Sequence, residues 1–358
     1  MPAATLLPAG SAAEVRFARV DSGARIAWAR NGRGAVLVRV AHWMTHVEHD
    51  LRSPIWRPWL DRLGRELEVV RYDERGCGLS GSDDVPLGLE AATEELAAVV
   101  AATGAPRVAL LGQSGAAAPA IAYAVHHPER VSHLILLGGY LAGLLHQSPS
   151  AQALAFHEAS LHLVEAGWGR NDPAVQQFFT TRFIPDASLD EARALNEQQR
   201  LSCGPARAMQ IMRARATLDV RPLAPLVRCP TLVLHAEGDQ IVPMALGRDL
   251  AAAIPGARFV TLPTRNHIPL AADPSFELFC RTVTAFVRPD GVALALTARE
   301  RELAALVAQG LDNLQIAARL GLADKTVRNA LSSLYAKLQV EGRPQAVVRA
   351  RELGLGLP

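Results

Sequence analysis

Clustered cysteines, long apolar runs and a strong charge of either sign are all missing from this sequence. Its 358 residues include four cysteines, Cys77, Cys203, Cys229 and Cys280, far apart and without a C-x-x-C pair. That spacing argues against a disulfide framework and a zinc site, and suits a reducing compartment. No stretch approaches the roughly 18 consecutive apolar residues of a membrane-spanning helix. Met1 to Phe17 lacks a basic segment leading into an apolar run, so no signal peptide is expected. The expectation is a cytoplasmic protein without a membrane partner. Lys and Arg number 37 against 35 Asp and Glu, a net charge of +2, so any nucleic-acid surface must be local. Aromatic residues make up only 5%, yet hydrophobic residues reach 49%, which supports a sizeable core. The length suits about two domains of roughly 150 residues.

What is present is a long alternation of strand and helix signals. Strands are predicted at Val15–Val20, Arg25–Ala29, Ala35–Ala41, Leu67–Tyr72, Arg107–Leu111, His133–Leu137, Thr231–His235 and Arg258–Leu262. Helical patterns fall at Ile55–Arg65, Leu89–Ala102, Gly115–His127, Pro243–Ile254 and Ser275–Val287. Such alternation implies an α/β fold, a mostly parallel sheet with helices on both faces. From about 140 to 228 the alternation gives way to helices and loops, as in a lid inserted over the sheet. Pro289, Asp290 and Gly291 punctuate a linker, taken as 289–293. The expected division is 1–288 as the larger domain and 294–358 as a small helical one.

The segment Arg107-Val-Ala-Leu-Leu-Gly-Gln-Ser-Gly-Ala-Ala-Ala runs a buried strand straight into a helix, with Ser114 at the corner. Gly112 and Ala116 flank it at minus two and plus two, a G-x-S-x-G elbow with the second glycine replaced by alanine. Such a turn exposes the hydroxyl and leaves the Gly115 N–H free to stabilise an oxyanion. An acid and a histidine should follow in that order. Asp239 lies in the loop after the strand Thr231–His235, and His267 in the loop after Arg258–Leu262. Both would emerge at the carboxyl ends of parallel strands beside Ser114. His267 would then take the serine proton, with Asp239 fixing its tautomer.

From about Val15 to Val287 the chain resembles α/β-hydrolase-fold proteins. Beyond the elbow, Arg71-Tyr-Asp-Glu-Arg-Gly-Cys-Gly-Leu-Ser80 is similar to the family's D-x-R-G-x-G-x-S turn, and His127-Pro-Glu-Arg-Val131 to its H-P-E-R-V segment. The His-Gly pair expected after the third strand is absent; Trp43 is the candidate for the second oxyanion N–H. Catalysis is one reading of Ser114, Asp239 and His267. The others are a structural elbow and a site that holds a ligand without turnover. His42, His46, His49, Glu48 and Asp50 match no metal-binding spacing and read as a loop at the pocket mouth; neither a metal nor a cofactor is expected. Cys77 reads as a small packing residue. Trp168, Phe178, Phe179, Phe183, Met209 and Met212 suit either an apolar pocket or ordinary core packing.

After the linker the pattern is purely helical. Thr297 with Glu300, and Asp312 with Gln315, are capping boxes that open two helices. Gly310 and Gly321 end them. A third helix is expected from about Lys325 to Leu338, and a fourth from Pro344 to Leu353, with Asp324 as a candidate cap. Two short helices about a glycine turn form a helix-turn-helix layout. The tract resembles the LuxR-type DNA-binding domain through L-T-x-R-E, Gln309–Ala317, Lys325-Thr-Val-Arg-Asn329 and Lys337-Leu-x-Val with Arg343 and Ala346. By that resemblance Arg328, Asn329 and Ser332 face base edges, Lys325, Thr326 and Lys337 meet phosphates, and the protein binds duplex DNA as a homodimer. Nine basic against six acidic residues follow Val292, a modest local excess that suits phosphate contact. The combined expectation is a one-component regulator that senses a small molecule, with a serine hydrolase of the ester, lactone or amide class as its rival.

Overall fold

The computed structural model describes residues 14–82, 87–168, 170, 172–288, 296–338, 340, 342–352 and 355. They divide into two units, Met1–Val283 and Thr284–Pro358. The expected linker at 289–293 lies outside the described residues.

The first unit is built on eight strands: β1 Arg16–Arg19, β2 Arg25–Gly32, β3 Ala35–Arg39, β4 Leu67–Tyr72, β5 Val108–Gln113, β6 Val131–Leu137, β7 Thr231–Ala236 and β8 Arg258–Leu262. Their order across the sheet is β1-β2-β4-β3-β5-β6-β7-β8. β2 pairs antiparallel with β1 and β4, and every other pairing is parallel. Every residue of β5 and β7 is buried, which is why the centres of these strands, Val108–Leu111 and Leu232–Leu234, read as continuous apolar runs rather than as alternating patterns.

Helices α1 Trp56–Leu63, α2 Leu89–Thr103, α3 Ala117–His126, α8 Met244–Ala253 and α9 Pro274–Val287 cover the sheet. Val38, Val70, Leu110, Leu134 and Val233 share one core with α2, α3 and Leu250 of α8. Alternate strand residues such as Leu37, Val69 and Ile135 are also buried and point to the opposite face. Trp59 of α1 and Phe279 of α9 meet at 4.5 Å between ring centroids. Between β6 and β7 stand α4 Ala151–Gly167, α5 Pro173–Phe183, α6 Leu189–Ser202 and α7 Pro205–Ala216, the helices of the insertion.

The family-like turns earn their residues. Asp73 accepts amide N–H bonds from Val47 and Leu79 at 2.8 and 2.9 Å. A β-carbon on Gly78, where φ is +52°, would stand 2.2 Å from the Asp73 carboxylate, so that position admits only glycine. Arg130 reaches back to the carbonyls of Pro106 and Ala105, both at 3.0 Å, and so fixes the entry to β5.

The second unit holds α10 Ala298–Ala308, α11 Asn313–Leu320, α12 Asp324–Leu338 and α13 Arg343–Glu352. Both capping boxes form, Thr297 with Glu300 and Asp312 with Gln315. Gly321 closes α11 at φ +65°, a left-handed conformation that glycine adopts without a steric penalty. Leu303, Val307, Ile316, Val327, Leu331, Leu334 and Ala346 form the unit's core. One expectation is corrected: Asp324 is not a cap. It is the first residue of α12, where the Ala323 carbonyl accepts from Thr326 and Val327 and the Asp324 carboxylate pairs with Arg328 at 2.6 Å. Among the described residues no helix is long and apolar enough to cross a membrane.

Candidate catalytic site and nucleic-acid interface

Ser114 leaves β5 at φ +54°, a left-handed conformation it shares with only Met44 and Ser148 among described non-glycine residues. For a residue with a β-carbon this is strained by about 1 kcal/mol or more. Small neighbours are needed to reach it. A β-carbon on Gly112 would stand 2.7 Å from the Ala116 carbonyl and 2.9 Å from Ala117 Cα. Ala116, where the family pattern has glycine, packs its methyl fully buried, so the elbow tolerates this departure.

The carboxylate of Asp239 and the imidazole of His267 meet through Oδ2 and Nδ1 at 2.6 Å. The other oxygen, Oδ1, accepts the N–H groups of Ile241 and Val242 at 2.8 and 2.9 Å. Burial opposes ionisation of Asp239, but His267 and these amides outweigh it and hold the carboxyl below its ordinary range. An ionised carboxylate only accepts, so Nδ1 carries the hydrogen and a neutral His267 presents its lone pair at Nε2. That nitrogen is buried and without a hydrogen-bond partner. Ser114 makes no hydrogen bond to it among the described contacts. The imidazole is thus oriented as a base, with its proton-accepting atom unoccupied.

Two neighbours of this pair were not legible in the sequence. Gly138, after β6, has φ +57°, and a β-carbon there would stand 2.8 Å from His267 Cε1 and 3.5 Å from Asp239 Oδ2. His235, at the end of β7, donates Nε2–H to the Val242 carbonyl at 2.8 Å. The same nitrogen lies 3.6 Å from Asp239 Oδ2, so His235 braces the loop that carries the acid.

The segment after β3 corrects an expectation. His42, His49 and Asp50 are buried and do not form the mouth of a pocket. Asp50 pairs with Arg39 and lies 3.5 Å from Arg71, which draws it in against the carboxyl ends of two interior strands, β3 and β4. His42 donates from Nδ1 to the Trp43 carbonyl at 3.1 Å and packs on Trp56 at 4.7 Å. From this segment only Trp43 reaches the cavity. Its ring stacks with Phe179 and Phe183, each at 6.0 Å, and meets Trp168 edge-on at 6.0 Å. The insertion's aromatics therefore pack around the candidate oxyanion loop. Phe183 and Met212 also line the cavity, while Phe178 and Met209 do not.

That cavity, of about 640 Å³, opens on Ser114, Gly115 and Trp43, with Tyr140, Phe156, Arg182, Arg215, Ile241 and Leu246 among its other walls. Its volume suits a small organic ligand. Arg215, from α7, donates through Nη2 to both oxygens of Glu74, at 3.0 and 3.1 Å. Its Cδ lies 2.6 Å, and the Tyr140 hydroxyl 3.0 Å, from where a β-carbon on Gly115 would stand.

In the second unit the inward face of α12 is Val327, Leu331, Leu334 and Leu338, all buried. Lys325, Thr326, Arg328, Asn329, Ser332 and Lys337 are all exposed on its outer side. Lys337 pairs with Glu300 at 2.6 Å. Arg343 donates to the Leu311 carbonyl and, at 2.6 Å, to Asn313. It therefore ties the loop before α11.

Known proteins agree with this division. Residues 49–274 match the model of the alpha/beta hydrolase fold, and residues 294–350 that of the bacterial regulatory proteins of the luxR family. The protein named "Putative carbamate hydrolase RutD" from Klebsiella pneumoniae is 28% identical over 218 residues, 59% of this chain and 79% of that one. Its namesake from Caulobacter segnis is 25% identical over 232 residues, 62% of this chain and 82% of that one. Among solved structures, an esterase from Exiguobacterium antarcticum superposes with a TM-score of 0.65 at 19% identity, covering 76% of this chain and 98% of that one. The enol-lactonase from Burkholderia xenovorans LB400 gives 0.62 at 21%, covering 76% and 99%. At these identities the structural likeness speaks to the fold alone. The chain belongs to the alpha/beta hydrolase fold family and carries, C-terminal to that domain, a DNA-binding domain of the luxR family of bacterial regulatory proteins.

Proposed function

We propose that the protein is a one-component, cytoplasmic transcription regulator. Its hydrolase-like unit binds a small molecule in the cavity at Ser114, and its helix-turn-helix unit binds duplex DNA as a homodimer. The observation that carries this reading is the presence, in one chain, of a ligand-sized cavity at a strained serine and an exposed polar face on the second helix of a helix-turn-helix. Ligand binding controls DNA affinity only if the ligand favours one of two states of the protein unequally. Arg328, Asn329 and Ser332 are assigned to bases, and Lys325, Thr326 and Lys337 to phosphates. The test is a selection of duplexes from a randomised pool by the full-length protein, followed by gel-shift titration. Failure to enrich any sequence would sink the regulator reading.

The Asp239–His267 pair, 2.6 Å apart beside the strained Ser114 elbow, favours a second activity in the same site, hydrolysis of the bound ligand. Ser114 would be the nucleophile, His267 its base, Asp239 the orienting acid, and the N–H groups of Gly115 and Trp43 the oxyanion donors. A hydrolase turns over p-nitrophenyl acetate and loses this in Ser114→Ala. A pure sensor shows no turnover above that variant.

A further inference from the structure

The cavity at Ser114 is electrically one-sided. Its lining contains two arginines, Arg182 and Arg215, and no Asp or Glu. Arg182 has no carboxylate partner among the described residues. Its guanidinium lies over the rings of Phe156 and Phe178, at 4.8 and 5.6 Å, and reaches only the Gln240 carbonyl, at 3.4 Å. Burial disfavours its charge, with Asp239 opposing. Arg215 is more deeply buried, with 16% of its side chain exposed. Both of its hydrogen bonds to Glu74 use Nη2, so Nε and Nη1 are not engaged by that carboxylate. Partly desolvated guanidinium groups are costly unless an anion meets them. Glu74 offsets one of the two charges, so what remains suits a single negative charge better than two.

The position of Arg215 narrows the ligand further. Its Nε lies 3.2 Å from where a β-carbon on Gly115 would stand, beside the Tyr140 hydroxyl at 3.0 Å. Gly115 directly follows Ser114. An anion on Arg215 is therefore only a short chain away from a carbonyl at the serine hydroxyl. Such an arrangement accepts one carboxylate, since arginine and tyrosine donate and a carboxylate accepts. The aromatic and aliphatic walls would take the intervening carbons.

We propose that the ligand is a short acyl compound with a free carboxylate, the half-ester, half-amide or lactone acid of a dicarboxylic acid. Arg215, beside the Tyr140 hydroxyl, holds the carboxylate, Arg182 adds positive charge to the cavity wall, and Ser114 faces the acyl carbonyl. This rests on reading the cavity as the ligand site and adds the chemical class. The test uses full-length Ser114→Ala, which cannot turn the probe over, and calorimetric titration with the monomethyl and dimethyl esters of succinic, glutaric and adipic acids. At least one half-ester should bind about thirtyfold or more tightly than its diester, the scale set by losing one partner of a buried charge pair. Arg215→Met should abolish that preference and Arg215→Lys should keep part of it. Because Arg215→Met strands Glu74, Arg182→Met, which breaks no ion pair, is the second variant and should also weaken half-ester binding. Diesters binding as well as half-esters, or a preference unchanged in Arg182→Met and Arg215→Lys, would overturn the carboxylate assignment and leave the ligand site standing. If no probe binds and p-nitrophenyl acetate is not turned over by the unmodified protein, the ligand-site reading falls with it.

Discussion

Asp239 Oδ2 lies 2.6 Å from His267 Nδ1, while Oδ1 of the same carboxylate is held by the amides of Ile241 and Val242. The acid is thus clamped by its backbone on one side and clamps the imidazole on the other. Replacing Asp239 with Asn keeps the size but offers an amide NH₂ or carbonyl where an ionised acceptor stood. In Asp239→Asn the imidazole is no longer held in the tautomer that exposes Nε2. If the site turns over p-nitrophenyl acetate, kcat should fall by on the order of 10³ to 10⁴, with less effect on thermal stability. A variant that keeps more than a tenth of the parent rate would show that the pair does not act as base and orienter.

Gly138 is tied to the same pair by space rather than by charge. At φ +57° a side chain is strained, and the new methyl would stand 2.8 Å from His267 Cε1. Gly138→Ala should lower stability by at least about 1 kcal/mol and displace the imidazole. Thermal unfolding reads the first effect and ester turnover, or half-ester affinity, reads the second. Unchanged values in both would mean that the strand end is not held against the histidine.

The histidines behind the site each contribute to stability with a pH dependence of definite sign. Burial first, and Arg39 second, hold the His42 imidazole well below its ordinary value of 6.5. His235 is likewise lowered, chiefly by burial. Folded, both stay neutral where the unfolded chain takes up protons, so the unfolded state binds more protons below pH 6.5. Their contribution is complete above that pH and is lost as pH falls toward their folded values. The slope is about 1.4 kcal/mol per pH unit for each such histidine. Burial raises the carboxyls of Asp73, Glu74 and Glu95, which act in the opposite sense over the same range, so the comparison is with a variant: between pH 7 and pH 5 the midpoint of thermal unfolding should change less favourably in the parent than in His42→Gln. Equal slopes for variant and parent would remove His42 from this account.

The parts of this architecture that read from sequence are those whose signal is local. The centres of β5 and β7 are apolar because both faces are buried. Ser114 is conspicuous because only small residues can surround its turn, and Asp239 and His267 are found by their place after late strands. Thr297 and Asp312 announce two helices through partners three residues away. Arg215 has no such mark. On α7 it looks like any basic residue of a helix, and its partner Glu74 stands 141 residues away. His42 to Asp50 misled for the converse reason. Its polar composition suggests a solvent-facing loop, whereas Asp50 is drawn inward by Arg39 and Arg71, which come from two different strands.

Lys337 and Arg328 separate the two components of DNA binding. Both are exposed on α12, and both already hold a carboxylate, Glu300 at 2.6 Å and Asp324 at 2.6 Å. Exposed pairs of this kind are weak and salt-screened, so each is readily exchanged for a DNA contact. If Lys337 meets a phosphate, Lys337→Gln should weaken binding to all duplexes alike and reduce the slope of log K against log salt by about 0.9. If Arg328 meets a base edge, Arg328→Ala should cost about 1–3 kcal/mol on the selected sequence and little on random duplex. Gel shifts at four salt concentrations, on the selected and a scrambled duplex, read both quantities. A Lys337 variant that changes sequence preference, or an Arg328 variant that weakens both duplexes equally, would exchange the two assignments.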